Sequence, residues 1–295
     1  MIEIKKFKIR CSAISKIMTD SRSKSKAEKI AEVKASISKL QAEHDALKEG
    51  LKSKADKAEK IKKLNSQLDE LNNLPGVPNL SETCKTYLKQ WLKEQVYDAR
   101  YDFTSKQTYK GNAVEEDAIN YANLHLWGEF GAKKNTERKS DEYSEGECDV
   151  ELSESIEDAK ASFSSETFPL LEDELPDDGY EYQIQRYMHL WKKKKGGVNY
   201  ILMPTPEEVL IGLAHQKARY THNPDSVDYQ DKYNDIFQRL TDENDRISNP
   251  KLTPPKYRIK RFEFTYDAEL NAAIDKRVIE CREYIEKILL PMLKL

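Results

Sequence analysis

The chain changes hydrophobic period several times, and each change marks an element. Ile2, Ile4 and Phe7 alternate with charged residues, which predicts a short extended lead; Arg10-Cys11-Ser12-Ala13-Ile14-Ser15 then starts a helix with Ser12 as N-cap. From Lys24 to Asn73, Ile30, Val33, Ile37, Leu40, Leu47 and Leu51 recur at three-four spacing, followed by Ala58, Ile61, Leu64, Leu68 and Leu71. With Gly50 near the middle and Pro75-Gly76 at the end, the segment reads as an antiparallel helical hairpin, with one long helix as the alternative. Ser81 is placed to cap a helix carrying Tyr87, Leu88, Trp91 and Leu92; after a polar loop from Thr104 to Gly111, Val114, Ala118 and Ile119 mark the next helix.

Period two then takes over. Glu147 to Leu152 and Ile156 to Ala161 predict two strands of a hairpin around Ser153-Glu154-Ser155. A helix follows from Tyr180 to Trp191, stopped by four lysines and Gly196-Gly197, then a buried strand from Val198 to Met203. Helices from Pro206 and over 228–245, a strand over 257–264 and a closing helix over 267–290 complete the chain. Interleaved helices and strands predict an α/β (α+β) fold with a central mixed sheet flanked by helices. The expected domains are 1–23 as the first part of the core, 24–75 as a helical hairpin insertion, and 76–295 as the body.

Composition narrows the function. With 49 Lys and Arg against 52 Asp and Glu in 295 residues, the chain is neither a generally basic polyanion binder nor a membrane protein, and no apolar run reaches the roughly 18 residues of a membrane span. Cys11, Cys84, Cys148 and Cys281 are scattered without a CxxC pair, which argues against a zinc knuckle, a disulfide framework or a clustered iron-sulfur site, and fits a cytoplasmic protein. The near-neutral sum hides segregation. Residues 1–74 hold 18 basic against 11 acidic side chains, so the hairpin is either a solvated extension or a lever touching DNA or a partner protein. Residues 141–181 hold 16 acidic side chains and one basic residue, Lys160. Such a block is a solvated face or a site for a hard divalent cation.

The second reading has a geometry. Strand alternation puts Asp158 and Lys160 on one face, with Asp149 on the neighbouring strand. Two carboxylates hold Mg²⁺, the metal lowers the pKa of a water, and the lysine positions that water or stabilises developing charge, which is the chemistry of phosphodiester cleavage. Upstream lies Gly111-Asn112-Ala113-Val114-Glu115 on a helix, and downstream Tyr180-Glu181-Tyr182-Gln183-Ile184-Gln185 opens another. The five histidines form no ligand spacing.

This order of motifs over residues 80–205 resembles the PD-(D/E)XK nuclease superfamily, and within it the phage lambda exonuclease group, also called YqaJ-like viral recombinases. The resemblance implies a restriction-endonuclease-like core and a Mg²⁺-dependent DNA exonuclease, with Mn²⁺ able to substitute, acting on linear duplex ends in phage recombination, repair or genome processing, beside a strand-annealing or recombination partner. It implies that Asp149, Asp158 and the Ala159 carbonyl ligate one metal, and that Glu115 binds a second metal or its water. Lys160 would activate the nucleophile, and Gln183 or Gln185 orient it. Arg10, Ser12 and Ser15 would contact DNA phosphates. Two features depart from the group's pattern: Cys148 replaces the proline of the metal-binding strand, and the hairpin is an addition to its compact members. Lys192 to Lys195 and the cluster of Lys256, Arg258, Lys260 and Arg261 are candidate walls of a DNA path. The competing readings are a structure-selective endonuclease of the same fold and a non-catalytic recombination interaction protein.

Overall fold

The computed structural model describes residues 4–48, 51–74, 76–100, 106–129 and 132–293. The contacts divide the chain into two compact units: residues 1–7, 16–99 and 275–295 form one, and residues 8–15 and 100–274 the other. This differs from the expected segmentation at 24–75, because the helix after the hairpin and the C-terminal segment group with the hairpin.

The first unit contains α2 (Lys26–Asp45) and α3 (Lys52–Asn73), which pack on each other as a hairpin. Lys26 Nζ reaches Asn72 O at 3.0 Å and Leu74 O at 2.6 Å, and Lys57 pairs with Glu43, so the helices run antiparallel. Gly50, the expected turn, and Pro75 lie outside the described residues, as does Ile2 of the lead. Val33 is the buried residue of α2 and α3 has none, which fits a largely solvated pair. α4 (Glu82–Tyr97) is capped by Ser81 as expected, its hydroxyl accepting from Cys84 N at 3.0 Å. Phe7 packs edge-on to Trp91 at 5.1 Å, and the buried thiols of Cys84 and Cys281 lie 3.6 Å apart.

The second unit holds both sheets. β1 (Ile9–Arg10), β2 (Lys139–Ser140) and β3 (Ser144–Gly146) make a small sheet in the order β1-β3-β2. β4 (Val150–Glu151), β5 (Ser155–Ser162), β6 (Lys195–Leu202) and β7 (Ile259–Thr265) make the central one, antiparallel between β4 and β5, parallel between β5 and β6, and antiparallel between β6 and β7. α5 (Lys106–Ala122) covers one face, where Val114, Ala118 and Ala122 pack on Ile201 and Met203 over the small Ala159 and Ala161. α6 (Gly179–Trp191) covers the other, with Ile184 and Met188 so close to Gly196 that a Cβ there would lie 2.8 Å from Ile184 Cγ1. Beyond them lie the hairpin of α7 (Glu207–Thr221) and α8 (Tyr229–Ser248), and α9 (Ala268–Tyr284) closes the fold. The expected mixed sheet flanked by helices is present. No helix among the described residues is long and apolar enough to cross a membrane.

Four boundaries differ from the sequence reading. α5 starts at Lys106, inside the expected loop. β6 starts at Lys195, since its glycines serve as strand residues under α6. Glu147 to Asp149 do not join the β4 ladder: Cys148 O and Asp149 O accept from Asn135 Nδ2 (3.0 Å) and Asn135 N (2.7 Å) instead. Ser12 is exposed and caps nothing; a tight turn over Cys11–Ala13, entered from Arg10 with no side-chain cap, leads into α1 (Ile14–Met18).

Candidate active site

β5 exposes alternate faces to the two covering helices, so Asp158 and Lys160 both turn toward α6. Asp158 is completely buried. Its Oδ1 accepts from Gln183 Nε2 at 3.2 Å, and Lys160 Nζ lies 2.7 Å from its Oδ2. The buried carboxylate is thus held by the Gln183 amide on one oxygen and by the Lys160 ammonium on the other. Asp149, one residue before β4, accepts from Ala159 N at 2.7 Å through Oδ2. Burial, and then the neighbouring Asp158 charge, push the Asp149 carboxyl up to about 7, against the pull of Lys160. Lys160 is driven the other way: burial favours its neutral form, but Asp158 and Asp149 outweigh it and hold the ammonium above its usual range.

These groups back a cavity of about 430 Å³ whose wall includes Glu115, Asp149, Ala159, Lys160, Tyr180 and Tyr200. Lys160 Nζ stands 4.5 Å from the centre of the Tyr180 ring, a cation–π contact, and Tyr180 meets Tyr200 edge-on at 6.3 Å. Tyr200 is the direct register partner of Lys160 on β6. The sequence reading did not single it out, although alternation from Val198 puts it on the Lys160 face.

The expected residues are brought together unequally. Asp149, Asp158, Ala159 and Lys160 converge. Glu115 lines the same cavity, but its carboxylate is paired with Lys134, and among the described residues no three His, Cys, Asp or Glu side chains cluster to hold a metal. Gln183 reaches Asp158 and also donates to Tyr187 Oη at 3.0 Å. Gln185 does not meet the expectation of orienting a nucleophile: its amide donates to Thr265 O at 2.8 Å and accepts from Asp267 N at 2.9 Å, tying α6 to the end of β7. Arg10 ends β1, Ser12 lies in the turn that packs on α6, and Ser15, on α1, lies against Gly179; none of the three lines the cavity. The basic clusters are divided: Lys192, Lys194, Lys195 and Lys256 are exposed, and three others are used inside the fold. Arg258 is buried with its guanidinium 4.1 Å above Tyr121, Arg261 pairs with the buried Glu157 at 2.7 Å, and Lys193 reaches Leu152 O at 2.8 Å.

Chemically, the cavity wall offers the Asp149 carboxylate, the Glu115 carboxylate paired with Lys134, a strand residue at Ala159 and the Lys160 ammonium, with the buried Asp158 behind that ammonium. Mg²⁺ is commonly held by one or two carboxylates with water in its remaining positions, so this donor set suits such an ion without a third carboxylate. The Asp149 carboxyl, raised by burial and then by the Asp158 charge, is the feature a cation would relieve.

The site thus sits on a four-stranded mixed sheet between α5 and α6, with an Asp-x-Lys strand facing an acidic neighbour. A phage-related exonuclease from Haemophilus somnus 129PT superposes over 98% of this chain and 97% of its own, with a TM-score of 0.61 at 23% identity. An alkaline exonuclease from Laribacter hongkongensis matches over 97% and 94% of the two chains, at 9% identity and a TM-score of 0.49. The chain therefore shares the fold of the phage-related exonuclease. No family model and no curated protein matches the sequence.

Proposed function

We propose that the chain is a Mg²⁺-dependent exonuclease that hydrolyses DNA from linear ends, in the cytoplasm of a phage-infected or prophage-bearing cell. The observation that carries this reading is the convergence of Asp149, which accepts from Ala159 N, with the fully buried Asp158 and the Lys160 that pairs with it on the same strand face. The fold shared with a phage-related exonuclease supports it.

Asp149, Asp158 and the carbonyl of Ala159 would hold the cation, with Mn²⁺ an acceptable substitute because the donors are all oxygen. When bound, the cation stabilises charge on a phosphoryl oxygen and acidifies water. Gln183 fixes the Asp158 carboxylate from behind. Lys160, steered by Asp158 and the Tyr180 ring, presents its ammonium to the cavity, where it orients the attacking water or offsets charge on the phosphate. Glu115, on the same wall, would add a further carboxylate beside the cation if its pairing with Lys134 were released. Tyr180 and Tyr200, on the cavity wall, would flank a bound nucleotide.

The test uses end-labelled linear duplex and its covalently closed circular form. Loss of label from linear DNA in Mg²⁺, with circular DNA intact, is the expected result, and Lys160→Ala should slow it by about 10²–10³-fold. Equal attack on circular DNA would favour an endonuclease of the same fold. Undiminished digestion by Lys160→Ala would remove that residue from the mechanism.

A further inference from the structure

The catalytic cavity is not isolated within its unit. Phe163, just past the end of β5, lines it and also lines a larger cavity of about 1040 Å³ between α7 and α8. The shared residue is held firmly. Lys110, itself buried on α5, donates to Ser162 O at 3.0 Å, Phe163 O at 2.8 Å and Met203 O at 3.0 Å, and its ammonium stands 5.9 Å from the Phe163 ring. The two cavities therefore share a fixed wall at Phe163.

The second space is lined in an unusual way. Its floor is aliphatic, from Leu213, Ile236 and Leu240, with Tyr220 on its wall. Tyr220 is 92% exposed, so its ring is not there to fill the core. Lys217 and Arg239 supply cations from opposite helices, while the carboxylate on the wall, Glu243, already accepts from the Ser165 hydroxyl. A duplex shows a protein its phosphates and keeps its base faces stacked inside, so an apolar floor gains nothing from it. An unpaired strand offers flat apolar bases together with a charged backbone, and sites for it combine aromatic platforms with scattered cations.

We infer that the α7–α8 groove is a subsite for unpaired nucleotides of the strand that passes the catalytic cavity, with Phe163 and Tyr220 as stacking platforms and Lys217 and Arg239 on its phosphates. This inference rests on the nuclease reading and deepens it: the enzyme handles a single strand next to the cut, so the duplex must be opened before the groove is filled.

The experiment measures fluorescence anisotropy of a fluorescein-labelled oligo-dT and of a blunt hairpin duplex of equal charge. All proteins carry Asp158→Asn so that no strand is cut. Adding Tyr220→Ala should weaken oligo-dT binding about 5- to 100-fold, the range found when one stacking side chain is removed, with a much smaller effect on the duplex. Lys217→Glu with Arg239→Glu should weaken oligo-dT binding and make the dependence of log K on log salt shallower by about 1.4, the value for two phosphates of a single strand. Oligo-dT affinity within about twofold of the parent for both sets of variants would overturn the assignment and leave the groove to a protein segment. Failure of the nuclease reading would appear separately, as the absence of any DNA degradation by the unsubstituted protein in Mg²⁺.

Discussion

Gln183 and Gln185 show how one helix turn separates chemistry from scaffolding. Two positions apart on a helix is roughly 200° of rotation, so a single site faces one of them and not both. Gln183 turns to Asp158, and Gln185 turns to the backbone of Thr265 and Asp267. Gln185→Ala should therefore act on stability: losing two part-buried hydrogen bonds to the backbone costs about 1 kcal/mol in chemical denaturation, while kcat of the folded fraction stays close to that of the unsubstituted enzyme. Gln183→Ala should do the reverse, lowering kcat through a less well held Asp158. A kcat loss in Gln185→Ala as large as that in Gln183→Ala, at matched folded fraction, would contradict this division. The sequence contained the 200° argument, but the Tyr-x-x-Gln-x-Gln resemblance brought both amides forward.

Among the elements, β5 was the most legible, because the alternation of Asp158, Ala159 and Lys160 specifies which side chains meet whatever surrounds the strand. The ends of β6 and α5 were not legible. Gly196 and Gly197 look like a helix stop, yet they belong to the strand because Ile184 and Met188 press on one, and Glu157 with Arg261 on the other. Lys106 to Lys110 look like loop, yet Lys110 is drawn inside by three carbonyls that only tertiary structure supplies. The strands are also joined on the face away from Asp158. Glu157 is fully buried and takes Arg261 Nη2 at 2.7 Å, Ser155 Oγ at 2.6 Å and Asn199 Nδ2 at 2.8 Å, linking β5, β6 and β7. Arg261→Met would leave that carboxylate without its cation and should destabilise the protein by about 3 kcal/mol, whereas Glu157→Gln combined with Arg261→Met should recover part of the loss. Urea denaturation of the single and double variants measures both. An unchanged midpoint for Arg261→Met would show that the pair does not hold the sheet.

At the scale of the whole molecule, the near-neutral charge of −3 conceals a local excess of negative charge at the site. Asp149 carries its consequence. Its carboxyl is raised from 3.8 to about 7, so the folded chain binds that proton more tightly than the unfolded chain does. The stabilising effect of the proton is complete below pH 3.8 and is lost as pH rises through about 7. Without divalent metal, the melting temperature should therefore carry a falling contribution between pH 5 and pH 8, on the order of 1 kcal/mol or more, which Asp149→Asn removes. Adding Mg²⁺ or Mn²⁺ at pH 8 should raise the melting temperature of the unsubstituted protein and leave Asp149→Asn nearly unmoved, because metal and proton compete for the same oxygens. Differential scanning calorimetry at the two pH values reads the sign directly; equal metal-induced shifts in both proteins would place the cation elsewhere.

The central claim is that a divalent cation held by Asp149 and Asp158 beside Lys160 is what makes this fold cut DNA. Its most direct test is the rate of nucleotide release from linear duplex as Mg²⁺ is titrated into metal-stripped protein, for the unsubstituted chain and for Asp158→Asn. The account expects no release without metal, a saturable rise with it, and a loss of about 10³-fold or more in Asp158→Asn at every metal concentration. Release that persists in chelator, or an Asp158→Asn protein that follows the same titration curve, would contradict it.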